Sequence, residues 1–328
     1  MTTPITDIEH PCSFHDLPVF TLPEPGDDRP WPATLPSVDG MAWRLDCGWD
    51  GHGFAATWQH FLKTVDPAQV RALVIGPWWD GEYSSLAPVV ELITSDAARF
   101  PALRALFLAD VVGEECEVSW LRMCDITPVL RAFPLLEELV VRGGGSGLDA
   151  DSLELHPVRH EALKSLRFES GGLPGHVVRA VGASELPALE RLELWFGSQW
   201  YAGDATVADM APLLSGGTFP RLRHLGLQNS EIQDEIAVAV ASAPVVAQLE
   251  SLALSMGTLS DAGGLALLGG QPLTHLGYLD LQHHYLGDEV MERFKGLGER
   301  DDVHVYLDGA DDWDPDDEDD ARYVAVSE

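Results

Sequence analysis

Ser255 lies in Ala253-Leu-Ser-Met-Gly257, a stretch that imitates the turn by which some hydrolases expose a serine nucleophile, and Asp280 and His284 follow as apparent acid and base. Leu254, however, belongs to an aliphatic pattern that recurs along the chain, and no helical segment follows at once. The sharp strand-to-helix turn is therefore missing, and an ordinary buried serine is expected. Arg142-Gly-Gly-Gly-Ser-Gly147 could cradle a phosphate. It lacks the Gly-Lys-Ser/Thr of a phosphate loop, and Leu148 stands where a dinucleotide fingerprint needs its third glycine, so an inter-coil loop is expected. Cys116 with Cys124, His10-Pro-Cys12 with His15, His156 with His160, and His283 with His284 offer metal-ligating atoms, but no two matched pairs at zinc spacing. Asp312, Asp314 and Asp316 begin like a calcium loop, with Asp317 in place of the turn glycine and Tyr323 in place of the bidentate acid. The sequence thus predicts no catalytic residue, no cofactor and no metal site, and a chain that is not an enzyme.

Composition narrows the remaining classes. The 328 residues carry 53 acidic against 20 basic side chains, a net charge of -33. Such a surface repels phosphate backbones and anionic headgroups, so nucleic acid and membrane are poor partners. No window approaches the roughly 18 unbroken apolar residues of a spanning helix, and the N-terminus shows no basic and apolar secretory pattern. A cytoplasmic location follows, in which Cys12, Cys47, Cys116 and Cys124 read as small hydrophobes or free thiols.

These side chains hang on a repeat, Leu-x-x-Leu-x-Leu with Val, Ile or Phe as substitutes. Its middle positions are Leu73, Leu106, Leu139, Leu166, Leu192, Leu225, Leu252 and Leu279, at intervals of 33, 33, 27, 26, 33, 27 and 27. Alternation within the motif turns the aliphatic residues to one strand face and the intervening ones to the other. A single coil cannot cover its own leucines, so successive coils stack into a parallel sheet. Helical spacing between motifs supplies the return legs, expected at 86–93, 118–133, 175–183, 206–214, 233–243, 260–269 and 288–295. Pro101, Pro134, Pro187 and Pro220 stop the preceding helices.

The ends differ from the middle. Residues 1–39 hold 8 of the 22 prolines and read as an extended arm, anchored by Phe14, Leu17, Val19 and Phe20. Residues 40–307 form the solenoid, with Met41–Leu45 and Phe54–Val65 as its N-terminal cap and Val303–Leu307 as a final strand. Residues 308–328 form an acidic tail, nine acidic residues in the thirteen from 308 to 320, ending in a segment, Arg322–Glu328, that is apolar enough to dock on the body.

The repeat resembles the leucine-rich-repeat superfamily, and its helix-bearing coils of mixed length look closest to the ribonuclease-inhibitor-like branch. Leu103-Arg-Ala-Leu-Phe-Leu, Glu190-Arg-Leu-Glu-Leu-Trp195, Leu279-Asp-Leu-Gln-His-His-Tyr-Leu286 and Arg322-Tyr-Val-Ala-Val-Ser-Glu328 are also similar to a bacterial family of cytoplasmic leucine-rich-repeat proteins of unassigned function. The first resemblance implies an α/β horseshoe, parallel sheet on the concave face and helices on the convex face, that binds other proteins. The second implies genes lying near radical-enzyme, ATP-grasp-like and hydrolase-like neighbours, so that an enzyme encoded nearby is a candidate partner. Where the superfamily tends to place Asn after the last motif leucine, this chain has Ser230, Gly257 and His284, which argues against a continuous asparagine ladder.

Partner-binding residues are expected in two places. Side chains between the motif leucines point away from the core, among them Phe107, Arg142, Arg167, Glu169, Arg191, Glu193, Trp195, Tyr278 and Asp280. Loops at the strand ends carry Trp78, Trp79, Tyr83, Trp200, Tyr201, His283 and His284, types enriched in binding hot spots. The reading is a non-enzymatic scaffold or adaptor that grips a protein. Its alternative is an accessory subunit whose loops hold a small metabolite or peptide for a neighbouring biosynthetic enzyme, and a third is an acidic mimic occupying a basic site elsewhere.

Overall fold

The computed structural model describes residues 8–23, 34–47, 53–79, 83–145, 151–301, 303–311 and 321–327. Twelve strands form one sheet in chain order. They are β1 (Ser13–Phe14), β2 (Leu17–Thr21), β3 (Ala42–Leu45), β4 (Ala72–Ile75), β5 (Ala105–Leu108) and β6 (Glu138–Arg142), then β7 (Ser165–Glu169), β8 (Arg191–Gly197), β9 (His224–Ser230), β10 (Ser251–Ala253), β11 (Tyr278–Asp280) and β12 (His304–Tyr306). The first pair is an antiparallel hairpin, and the pairings from β2 to β12 are parallel.

Parallel neighbours need a crossover after each strand, and helices provide most of them. These are α1 (Phe54–Thr64), α2 (Ala87–Ser95), α3 (Thr127–Ala132), α4 (Gly175–Gly182), α5 (Ala211–Leu214), α6 (Gln233–Val240), α7 (Asp261–Gly269) and α8 (Asp288–Asp301). The result is an α/β fold of solenoid-like organisation. Among the described residues, no helix is long and apolar enough to cross a membrane.

Register explains why the repeat is so regular. The middle leucines, from Leu73 to Leu279, pair strand to strand in one line. Both motif positions of each strand are buried in one continuous core with the helices. Each fully buried leucine contributes about 1.5–3 kcal/mol relative to exposure. The positions on either side of the middle leucine face the opposite way, and it is this second face that concerns function.

Two helical expectations are not met in full. Over 206–214 only Ala211–Leu214 is α-helical, after a turn. Residues 118–133 do not form a single helix: a 3-10 turn at Val118–Trp120 is followed by extended chain, and α3 begins only at Thr127. Pro128 has no N–H with which to continue a helix from upstream. Asp125 meanwhile accepts the Thr127 backbone N–H at 2.9 Å, a local cap that starts a new helix there.

Candidate functional site

The second sheet face is not open along its whole length. Phe14, Leu17 and Val19 of the β1–β2 hairpin pack on Ala42, Ala72, Val74, Ala105, Phe107 and Val140, a small second core on the far side of the sheet. Phe107, expected to meet a partner, is only 1% exposed, with its ring centroid 5.9 Å from that of Phe14. Polar contacts fix the arm in place. His10 Nδ1 lies 3.1 Å from Asp110 and His15 Nδ1 lies 3.0 Å from Glu138, while Arg142 donates to the Glu9 carbonyl at 3.1 Å.

Under and beside the arm runs a ladder of alternating charge. Arg44 Nε donates to Asp110 Oδ2 at 2.7 Å, Asp110 Oδ1 lies 3.4 Å from Arg142 Nη1, and Arg142 Nε donates to Glu169 Oε2 at 2.8 Å. Arg167 Nε lies 2.9 Å from Glu169, Arg167 Nη1 lies 3.5 Å from Glu193, and Arg191 Nη2 lies 2.7 Å from Glu193. The Arg142 guanidinium also stands 5.0 Å from the Phe107 ring centroid, within cation–π range. Arg142 and Glu169, proposed from the sequence as partner contacts, are therefore spent internally, because charges out of water must pair. Burial would raise the Asp110 carboxyl, but His10, Arg142 and Arg44 outweigh it and hold it below the usual range. Arg44 and Asp110 were invisible as members of this set.

Towards the C-terminus the ladder gives way to a hydrogen-bonded chain. Gln228 Nε2 donates to Ser255 Oγ, which donates to Asp280 Oδ2, both at 2.8 Å. Ser255 is buried and His284 is occupied elsewhere, accepting the Leu286 N–H at 3.1 Å with its other nitrogen 3.1 Å from the Leu307 carbonyl. No serine triad forms from these three. Burial, with Glu193 adding, raises the Asp280 carboxyl to about 6 against the Gln282 N–H and the Ser255 hydroxyl. An acid whose folded pKa is raised holds its proton longer folded than unfolded, so this group's contribution is whole below about pH 4 and lost as pH rises to about 6. Asp280→Asn is accordingly expected to increase stability at pH 7 by about 1–3 kcal/mol and to flatten the stability profile between pH 4 and 6, as chemical denaturation would read.

Several expected loop aromatics also prove to be structural. Trp78 and Trp79 are buried and meet edge to face with centroids 5.0 Å apart, Tyr83 joins them half-buried, and Trp78 Nε1 donates to the Ser84 carbonyl at 2.8 Å. Trp195 is 1% exposed. His283 and Tyr285 receive the C-terminal segment: the Tyr285 hydroxyl donates to the Tyr323 carbonyl at 3.2 Å. Further on, Ala325 N donates to the Met256 carbonyl and Val326 N to Asn229 Oδ1, both at 2.9 Å. The metal-ligand candidates are likewise placed in ordinary roles. Cys116 and Cys124 are buried, which raises their thiols to about 11 and about 12 and removes the reactive thiolate. His160 bonds backbone on both sides, while His156 lies 3.8 Å or more from Asp125 and Glu154. Among the described residues no group of three or more His, Cys, Asp or Glu is arranged to hold a metal ion. The calcium-like Asp312, Asp314, Asp316 and Asp317, most of the acidic tail, and Ser146 to Leu148 of the glycine-rich loop lie outside the described residues.

What remains accessible is grouped. Trp200 is 84% exposed, on a 3-10 turn (Gln199–Tyr201) that follows β8. Ser198 caps this turn by accepting the Trp200 N–H at 3.2 Å and donates to Glu231 at 2.7 Å, and Glu231 also accepts the Gln199 N–H at 3.0 Å. Gly197 has φ 69°, and a Cβ on Gly172 would stand 1.8 Å from the Tyr201 carbonyl oxygen, so the turn is pressed against its neighbour coil. Beside it lies a cleft of about 450 Å³ bordered by Phe196, Gly203, Asp204, Glu231 and Ile232. On the adjoining sheet face Arg167, Arg191, His224, Ser251 and Tyr278 are partly exposed.

No family model matches this chain, and no curated protein does. Among solved structures it is similar to a crystal structure of a Bacteroides fragilis protein determined by a structural genomics consortium, with TM-score 0.74 and 28% identity over 82% of this chain and 75% of that one. That likeness supports the α/β architecture.

Proposed function

We propose that the chain is a leucine-rich-repeat horseshoe of the ribonuclease-inhibitor type that binds a protein, using the turn around Trp200 and the uncovered C-terminal half of its concave sheet face. The eight in-register motifs and the helical return legs support the repeat type. One observation carries the binding reading: a tryptophan 84% exposed on a turn held by Ser198, Glu231 and a tight glycine contact. Burying so large a ring against a partner gains much and costs little ordering entropy, because its backbone is already fixed. Tyr201, on the same turn, would form part of the less critical rim.

Trp200→Ala is expected to weaken partner binding by about 2 kcal/mol or more, roughly 30-fold, with the melting temperature unchanged. Quantitative recovery of partners on the immobilised protein from native lysate, followed by titration of the recovered protein, reads this directly. Unchanged affinity removes the turn from the interface. The cleft beside Trp200 favours a second reading, an accessory subunit that holds a small metabolite or peptide for a neighbouring biosynthetic enzyme. In that case the loss appears in titrations with the small ligand and not with a protein.

A further inference from the structure

Three residues on consecutive strands meet on the second sheet face. Ser251 of β10 pairs in register with His224 of β9, and their side chains touch: His224 Nδ1 lies 2.7 Å from Ser251 Oγ. The other ring nitrogen, Nε2, lies 3.0 Å from Glu193 Oε1 on β8. Glu193 is pinned in turn by Arg191 Nη2 at 2.7 Å and Arg167 Nη1 at 3.5 Å. We propose that Ser251, His224 and Glu193 form a nucleophile–base–acid relay that hydrolyses carboxylic esters, an activity beyond the binding reading and contrary to the expectation of a non-enzymatic chain.

The nucleophile-to-base contact is a hydrogen bond, and the base-to-acid contact is within ion-pair distance without hydrogen-bond alignment, the looser state in which relays without substrate are often found. A carboxylate beside Nε2 holds the ring proton there, which leaves the Nδ1 lone pair facing the serine hydroxyl. Burial would raise the Glu193 carboxyl, but His224, Arg191 and Arg167 together hold it well below the usual range, so it is a carboxylate at neutral pH. Burial lowers His224, more than Glu193 raises it, so the ring is neutral and able to accept a proton. Ser251 is partly exposed, in contrast to the fully buried Ser255 four residues further along the same coil.

The chemistry balances without any further reagent. Ser251 Oγ attacks the ester carbonyl carbon and its proton passes to His224 Nδ1. The carbon–oxygen bond to the leaving alcohol then breaks, and that alkoxide takes the proton from His224. Water, deprotonated by the same nitrogen, then attacks the acyl carbon; the bond to Ser251 Oγ breaks, the acid leaves, and Oγ takes the proton back from His224. Backbone N–H groups of this sheet are engaged in the ladder: Ser251 N, for one, donates to the Arg223 carbonyl at 3.1 Å. Oxyanion support must therefore come from side chains, and Tyr278 occupies the next register position beyond Ser251. A single phenol gives less stabilisation than a pair of preorganised amides, which directs the site to esters with good leaving groups and away from peptide bonds.

The test is labelling of the full-length protein with a fluorophosphonate probe, mapped by peptide mass spectrometry, alongside turnover of p-nitrophenyl acetate. The expected result is a label on Ser251 whose rate falls about 100-fold in both His224→Gln and Glu193→Gln, with Ser251→Ala abolishing label and turnover. Circular dichroism establishes which variants are folded, and Lys295→Ala, at an exposed position on α8, serves as the variant that leaves labelling unchanged. Absence of label from Ser251 in the unmodified protein overturns the proposal outright. So does a Ser251 label that is equally fast in whichever of the two relay variants is folded.

Discussion

Asp110→Ala is expected to cost about 3–5 kcal/mol in urea unfolding, the largest single loss among the charged residues. The carboxylate is buried between two guanidiniums, Arg44 at 2.7 Å and Arg142 at 3.4 Å, and it also holds His10 of the arm. Removing it leaves two cations out of water with one fewer anion to face, and the cost is mainly that unpaired charge rather than the lost bonds. Because the folded pKa of Asp110 is depressed, its contribution is whole above about pH 4 and drains away as pH falls further, so the variant and the unmodified protein should converge in stability under acid. A difference that persists undiminished at pH 2 would show that packing, and not the ion pairs, was lost.

Trp58→Ala is expected to cost a similar about 3–5 kcal/mol, for a different reason. The ring is fully buried in α1, stacked on Phe54 and Phe100 with centroids 6.2 and 5.4 Å away, and its indole N–H donates to Asp96 at 2.8 Å. Truncation opens a cavity in the N-terminal cap and removes one donor from Asp96, which keeps Arg99 at 3.5 Å. Trp58→Phe keeps most of the apolar area and should recover a large part of the loss. Equal melting midpoints for the two variants would mean that the Asp96 bond, and not the packing, dominates.

The fold was largely legible because its cause is local and repeated. A motif leucine every 26 to 33 residues states both the strand and its register, and the helix-forming stretch between two motifs has only one side on which to lie. Failures came where one residue decided the outcome, as Pro128 and Asp125 did in dividing the 118–133 segment. The candidate site was far less legible. Alternation places Phe107, Arg142 and Glu169 on the second sheet face, whereas Trp195 packs into the main core, and accessibility on the second face depends on segments distant in sequence. Nothing near Phe107 announces that Phe14 will cover it. Equally, Ser251, His224 and Glu193 are separated by 27 and 31 positions and share no motif; only the register of three strands makes them neighbours. Trp200 was picked out by residue type alone, and its exposure sets it apart from Trp78, Trp79 and Trp195.

The seating of the N-terminal hairpin also has a consequence for biosynthesis. Each coil can dock on the one already made, since its strand pairs with its immediate predecessor, so the body can form progressively as the polypeptide leaves the ribosome. Phe14 and Leu17 emerge first, but the residues whose polar contacts hold their segment, Asp110, Glu138 and Arg142, arrive about a hundred positions later. For that interval a nascent chain carries an apolar strand pair covered only in part, by Ala42, Ala72 and Val74, which is when a chaperone would find it.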